Sequence, residues 1–176
     1  MNIINNIVHK MIKVGDKLPE VNFWISTKAI DGACQMGKKV NSTQLFDNKK
    51  VVLFAIPGAF TPTCSAKHLP SFVQNSQQIK SKGIDSIICL ATNDPFVMSA
   101  YERDQNIDGQ VTLVSDGNSE FTKKIGMEMD GSGHGLGVGR SKRYAMIVEN
   151  NIVKSLFLEE PGKYEVSSAE HVLSKL

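Results

Sequence analysis

Cys64 closes the run Val51-Val-Leu-Phe-Ala-Ile-Pro57-Gly-Ala-Phe-Thr61-Pro62-Thr63-Cys64, and a cysteine in that setting is placed to act as a nucleophile. The apolar stretch reads as a buried strand. Pro57-Gly58 breaks it, and Thr61-Pro62 reads as a helix start, with Thr as cap and Pro in the first turn. Cys64 then falls in that first turn. There, unpaired backbone N–H groups and the positive end of the helix dipole favour a thiolate over a thiol.

Other reactive side chains are weaker candidates. His68 lies four residues after Cys64 on the same helix face, so a Cys–His pair is conceivable, but packing is the plainer reading. Cys89 sits among Ile87, Ile88 and Leu90, where burial should keep it inert. Cys34 belongs to an early polar loop. Gly131 to Gly139 carries a glycine at every second position; its spacing does not fit a dinucleotide fingerprint and no helix follows, so it reads as a pliable loop. No C-x-x-C pair is present: Thr61 stands three before Cys64 and Lys67 three after. That counts against a disulfide oxidoreductase, the runner-up enzyme class, and against zinc.

The elements that must hold Cys64 follow from periodicity. After it a helix runs through Leu69, Phe72, Val73 and Ile79, kinked at Pro70 and stopped by Lys80, Lys82 and Gly83. Ile84–Ala91 reads as a buried central strand, and Asn93-Asp94-Pro95 opens a second helix. Val111–Val114 and Asn118–Ile125 form a strand–helix insertion. Arg143–Glu149 and Ile152–Leu158 form a hairpin about Asn150-Asn151, and Ser167-Ser-Ala-Glu170 reads as a capping box. This order predicts an α/β, thioredoxin-like fold: a central mixed sheet flanked by helices, with an N-terminal extension.

Composition narrows the functions. The 176 residues make one domain, expected over 12–176, after a segment 1–11 that reads as a flexible terminus or a targeting remnant. A net charge of +2 and a pI near 8.4 do not point to nucleic acid or an anionic membrane surface, and no apolar run approaches a membrane span. Three cysteines fit a reducing intracellular compartment, with cytosol, mitochondrion and plastid all open.

The pattern Pro57-x-x-x-Thr61-x-x-Cys64, extended through Ser65, His68, Leu69 and Pro70, resembles the active-site signature of the peroxiredoxins. It is most similar to the branch holding peroxiredoxin 5 and the plant type II enzymes. Lys13-Val-Gly-Asp16, Asn93-Asp94-x-Phe96-Val97, Arg140-x-x-Arg143-Tyr144 and Ser167-Ser-Ala-Glu170 extend the resemblance from Ile12 to Leu176. It implies a thiol peroxidase that reduces hydrogen peroxide and alkyl hydroperoxides without metal or other cofactor. Cys64 would be the peroxidatic cysteine that becomes a sulfenic acid. Thr61 would hydrogen-bond thiolate and peroxide, Arg143 would complete the pocket, and Pro57 would shield the sulfur. Arg140, three residues before Arg143, reads as a supporting contact or a solvated charge.

Recycling is less constrained. Relatives of the atypical two-cysteine kind carry a resolving cysteine near the C-terminus, and the matching stretch here, Tyr164-Glu-Val-Ser-Ser168, has none. The resemblance therefore implies a one-cysteine mechanism resolved by an external thiol, glutathione with glutaredoxin. Cys89 matches a second cysteine of plant type II enzymes, which leaves open an intramolecular Cys64–Cys89 disulfide reduced by thioredoxin. A homodimer is expected from the same resemblance. A non-catalytic thioredoxin-like module is disfavoured by the joint presence of Thr61 and Arg143.

Overall fold

Five elements lead up to Cys64 or begin at it in the computed structural model, which describes residues 10–176. They are β1 (Asn22–Ile25), β2 (Lys38–Asn41), α1 (Ser42–Phe46), β3 (Lys50–Ala55) and a π-helical turn (Cys64–His68). The turn continues into α2 (Leu69–Gln74) and α3 (Ser76–Ser81), followed by β4 (Ser86–Ala91), α4 (Pro95–Asp104), β5 (Thr112–Ser115) and α5 (Glu120–Lys124). A small ribbon, β6 (Glu128–Met129) with β7 (Arg140–Ser141), encloses the glycine-rich loop. The hairpin β8 (Tyr144–Glu149) and β9 (Ile152–Leu158) and the helix α6 (Ala169–Leu173) complete the chain. Residues 1–9 of the expected N-terminal segment lie outside the described residues. Ile12 already packs in the core and donates its N–H to the Ile125 carbonyl.

The main sheet has the order β2-β1-β5-β4-β3-β8-β9. Its centre, β3, β4 and β5, is parallel; β1 and β2 on one side and β8 and β9 on the other are antiparallel. This is the predicted mixed sheet, with β4 in the middle and the hairpin at one edge. Alternation along the strands sorts the core into two layers. Val52, Phe54, Cys89 and Ala145 face Leu69, Phe72, Met98, Tyr101 and Val172. Val51, Leu53, Tyr144 and Met146 face Phe46 and Phe121 on the other side. Cys64 belongs to the first layer, as does Cys89.

Most local signals hold. Asp94 caps α4 by accepting from the Phe96 and Val97 N–H groups, with Pro95 next. Asn150 and Asn151 both take positive φ, 48° and 64°, as a tight hairpin requires. Two expectations are corrected. The last helix is capped one residue later than the capping box predicts: Ser168 accepts from His171 N, while Ser167 is bonded to Glu159. The long helix after Thr61 is also not one piece. It opens into the π turn at Cys64–His68, where Leu69 N reaches back to the Cys64 carbonyl, and it breaks again at Asn75. Pro70 has no N–H and its ring crowds the carbonyl four residues back. Widening the preceding turn by one residue accommodates it, so the distortion falls under Cys64 and not at Pro70.

Candidate active site

The pairing of β3 with β8 sets Ala55 opposite Tyr144. Arg143, the residue before β8, therefore emerges beside the loop that leaves β3 and leads to Cys64. At the end of β3, Ile56 N still bonds to the Leu90 carbonyl. Pro57, which has no N–H to offer, ends the pairing and opens the loop. The loop is fixed from outside. Ala59 N donates to Asn93 Oδ1 at 2.9 Å. A Cβ on Gly58 would stand 3.3 Å from Thr61 Cγ2 and 3.4 Å from Arg140 Nη1, so glycine allows that close approach. Phe60, with φ of 62°, holds a left-handed conformation that a bulky residue rarely adopts. Its ring packs edge-on against Tyr101, 5.0 Å between centroids.

Thr61 N-caps the helix in position, its carbonyl accepting from Ser65 N at 3.0 Å, and Cys64 is the third helical residue. Cys64 has no solvent-exposed surface. Arg143 Nη2 donates to its sulfur at 3.5 Å. Thr61 Oγ1 donates to the Gly58 carbonyl at 2.8 Å, so its only proton is committed there and what remains is the oxygen's capacity to accept. Of the four predicted residues, Cys64 and Arg143 are in contact, Thr61 stands at the start of the same turn, and Pro57 begins the loop.

The guanidinium is held from the other side by His68. Arg143 Nη1 lies 3.0 Å from His68 Nδ1, and the Tyr164 ring lies 5.9 Å from the guanidinium carbon. His68 is fully buried. Burial first, and the Arg143 charge second, hold its pKa down at about 3, against the opposing pull of its bond to the Ser167 carbonyl. It is a neutral acceptor at any ordinary pH. His68 does pack, against Phe54 and Phe72, as its sequence setting suggests, but the contact with Arg143 leaves no local mark because Arg143 is remote in the chain. Tyr164 carried no signal at all.

Comparison with known proteins decides the family. A family model described as Redoxin matches residues 13–173. Peroxiredoxin-2E, chloroplastic, of Arabidopsis thaliana is 47% identical over 166 residues, 94% of this chain and 69% of the relative. The chain is a peroxiredoxin. Peroxiredoxin-2D of Arabidopsis thaliana is 40% identical, covering 94% of this chain and 98% of its own. The crystal structure of reduced Prx3 from Vibrio vulnificus in complex with hydrogen peroxide superposes with a TM-score of 0.83 at 43% identity, over 94% of this chain and 100% of that one. The protein has the thioredoxin-like peroxiredoxin fold and is a thiol peroxidase, an oxidoreductase.

The remaining cysteines of this peroxiredoxin differ sharply in setting. Cys34 is exposed in the β1–β2 loop. Cys89 is buried, and burial first and the Cys64 charge second push its thiol well above the ordinary range, only partly offset by Arg143. Arg140 is half-buried; its Nε donates to the Leu136 carbonyl at 2.9 Å, tying the glycine-rich loop to the Pro57–Thr61 loop through the Gly58 approach. Among the described residues no cluster of His, Cys, Asp and Glu is arranged to hold a metal ion.

Proposed function

We propose that Cys64 is the peroxidatic residue of this thiol peroxidase and that it passes through a sulfenic acid. The Cys64 thiolate attacks the hydroxyl oxygen of a hydroperoxide. The S–O bond forms as the O–O bond breaks, and the second oxygen leaves as hydroxide or alkoxide beside the Arg143 guanidinium and takes its proton from solvent once the loop has reopened. Arg143 stabilises both the thiolate and the developing negative charge. Thr61, its proton engaged by Gly58, accepts the peroxide O–H and so orients the oxidant. Pro57 shapes the loop. Because Cys64 is fully buried, the oxidant enters by movement of that loop. The observation that carries this reading is the 3.5 Å contact of Arg143 Nη2 with Cys64 Sγ in a site closed to water.

For the return half, an external thiol condenses with the sulfenic acid and releases water, and a second thiol frees Cys64 as a disulfide departs. Glutathione with glutaredoxin fits this role, because Cys89 is protonated and buried and Tyr164–Ser168 supplies no cysteine. The protein works as a homodimer in a reducing intracellular compartment. The chloroplastic names of Peroxiredoxin-2E and of Peroxiredoxin-2E-2 of Oryza sativa make an organelle the first place to look.

Mass spectrometry after a single molar equivalent of peroxide tests this directly. The expected products are one added oxygen on Cys64, then a glutathione adduct at the same residue once glutathione is supplied. An intramolecular Cys64–Cys89 disulfide as the main product would instead assign resolution to Cys89 and thioredoxin.

A further inference from the structure

The guanidinium that faces Cys64 is one station on a closed circuit of hydrogen bonds. Arg143 Nη1 meets His68 Nδ1 at 3.0 Å, and His68 Nε2 meets the Ser167 carbonyl at 3.0 Å. Ser167 N and Oγ both donate to Glu159 Oε1 at 2.8 Å, and Glu165 N donates to the same oxygen at 2.7 Å. Glu159 N then donates to the Arg143 carbonyl at 3.1 Å. The donors from Ser167 and Glu165 outweigh burial and hold the Glu159 carboxyl below its usual range.

Both partners of His68 demand one tautomer. A carbonyl only accepts, so Nε2 carries the proton; a guanidinium only donates, so Nδ1 offers its lone pair. A protonated ring would set N–H against N–H. A carboxylate at this position would orient Arg143 equally well, but it would draw the guanidinium's charge to itself and away from the sulfur. A neutral imidazole fixes the plane of the guanidinium and leaves its charge for the thiolate. The ring also packs against Phe54, Phe72 and Tyr164, and a phenylalanine would serve that packing alone. It could not supply the acceptor.

We propose that His68 is a positioning residue for peroxide reduction, a neutral acceptor that turns Arg143 Nη2 toward Cys64, with its tautomer set by Ser167 and Glu159. This rests on the reading of Cys64 and Arg143 given above. Two substitutions separate its roles. His68→Asn places an oxygen near the Nδ1 position and keeps the acceptor for Arg143; His68→Gln reaches the Nε2 position and keeps the donor to Ser167.

Stopped-flow rates with hydrogen peroxide should fall about ten- to a hundredfold in His68→Gln, the scale of a misplaced catalytic group, and within about threefold in His68→Asn. His68→Gln should add little further loss in an Arg143→Ala background, since it acts through that residue. Equal losses in both variants tracking their melting temperatures, or a His68→Gln loss that persists in full without Arg143, would overturn the proposal. A harmless Arg143→Ala would remove the underlying reading as well, whereas a damaging Arg143→Ala beside a harmless His68→Gln removes only this one. Should either variant fail to fold, nitrogen-15 shifts of the wild-type imidazole decide. The neutral Nε2–H tautomer is expected down to about pH 5, well below the ordinary histidine value; a doubly protonated ring, or a proton on Nδ1, contradicts it.

Discussion

Thr61 donates to the Gly58 carbonyl at 2.8 Å, so the role proposed for it in peroxide reduction is that of an acceptor. Thr61→Val, nearly equal in volume, should therefore cut the stopped-flow peroxide rate by about a hundredfold, whereas Thr61→Ser should keep most of it. His68 supplies a second prediction at this scale. Its pKa falls from 6.5 to about 3 on folding. Above pH 6.5 it is neutral in both states and contributes nothing to the pH dependence. Between those values the unfolded chain binds a proton that the folded chain refuses, so stability declines as pH falls. At pH 4 this amounts to about 3 kcal/mol, and urea unfolding at pH 7 and pH 4 should show His68→Asn losing less on acidification than wild type by that amount. Equal acid sensitivity would contradict it. Cys64 and Thr61 were legible in sequence because a strand end, a break and a helix start leave marks on neighbouring residues. The Arg143–His68 contact spans 75 positions, and nothing local marks it.

The turn that carries Cys64 owes its shape to a residue beyond it. Pro70 cannot continue a regular α-helix through this stretch, and the turn that opens between Cys64 and His68 carries the sulfur that Arg143 Nη2 meets. Pro70→Ala should keep or raise thermal stability, since a proline near the helix interior is removed. It should also lower the peroxide rate about tenfold as the turn relaxes toward regular α geometry and the sulfur moves. An unchanged rate would show that the π turn is incidental. The sequence signals a kink at Pro70 but not its displacement into the preceding turn, because accommodation depends on which carbonyl the Leu69 N–H can reach. Continuous apolar runs made β3, β4 and β8 easy to read. β1 and β2 were not assigned: Asn22–Ile25 and Lys38–Asn41 are short and only partly buried, and they become strands by pairing with each other and with β5.

For the molecule as a whole, Cys64 and Cys89 share one layer of the core, and the proposed one-cysteine cycle has no use for the second thiol. Cys89→Ala, which leaves no buried hydroxyl without a partner, should sustain NADPH-coupled peroxide reduction with glutathione and glutaredoxin within about twofold of wild type. Loss of coupled turnover with the Cys64 oxidation step intact would assign resolution to Cys89. The glycine-rich loop, pliable by its sequence, is braced by the bond from Arg140 Nε to the Leu136 carbonyl four positions back, which glycine spacing does not reveal. The mixed sheet flanked by helices was foreseeable because β3 and β4 are apolar over most of their length and helices alternate with the strands; the strand order was not, because it depends on β1 and β2.

The central claim is that peroxide reduction depends on the Arg143 guanidinium held against the Cys64 sulfur. Single-turnover oxidation of Cys64 by hydrogen peroxide, compared between wild type and Arg143→Ala at matched thiolate content, tests it most directly. A fall of about 100- to 1,000-fold is expected, the scale of one lost preorganised donor. A rate within a few-fold of wild type would contradict the account.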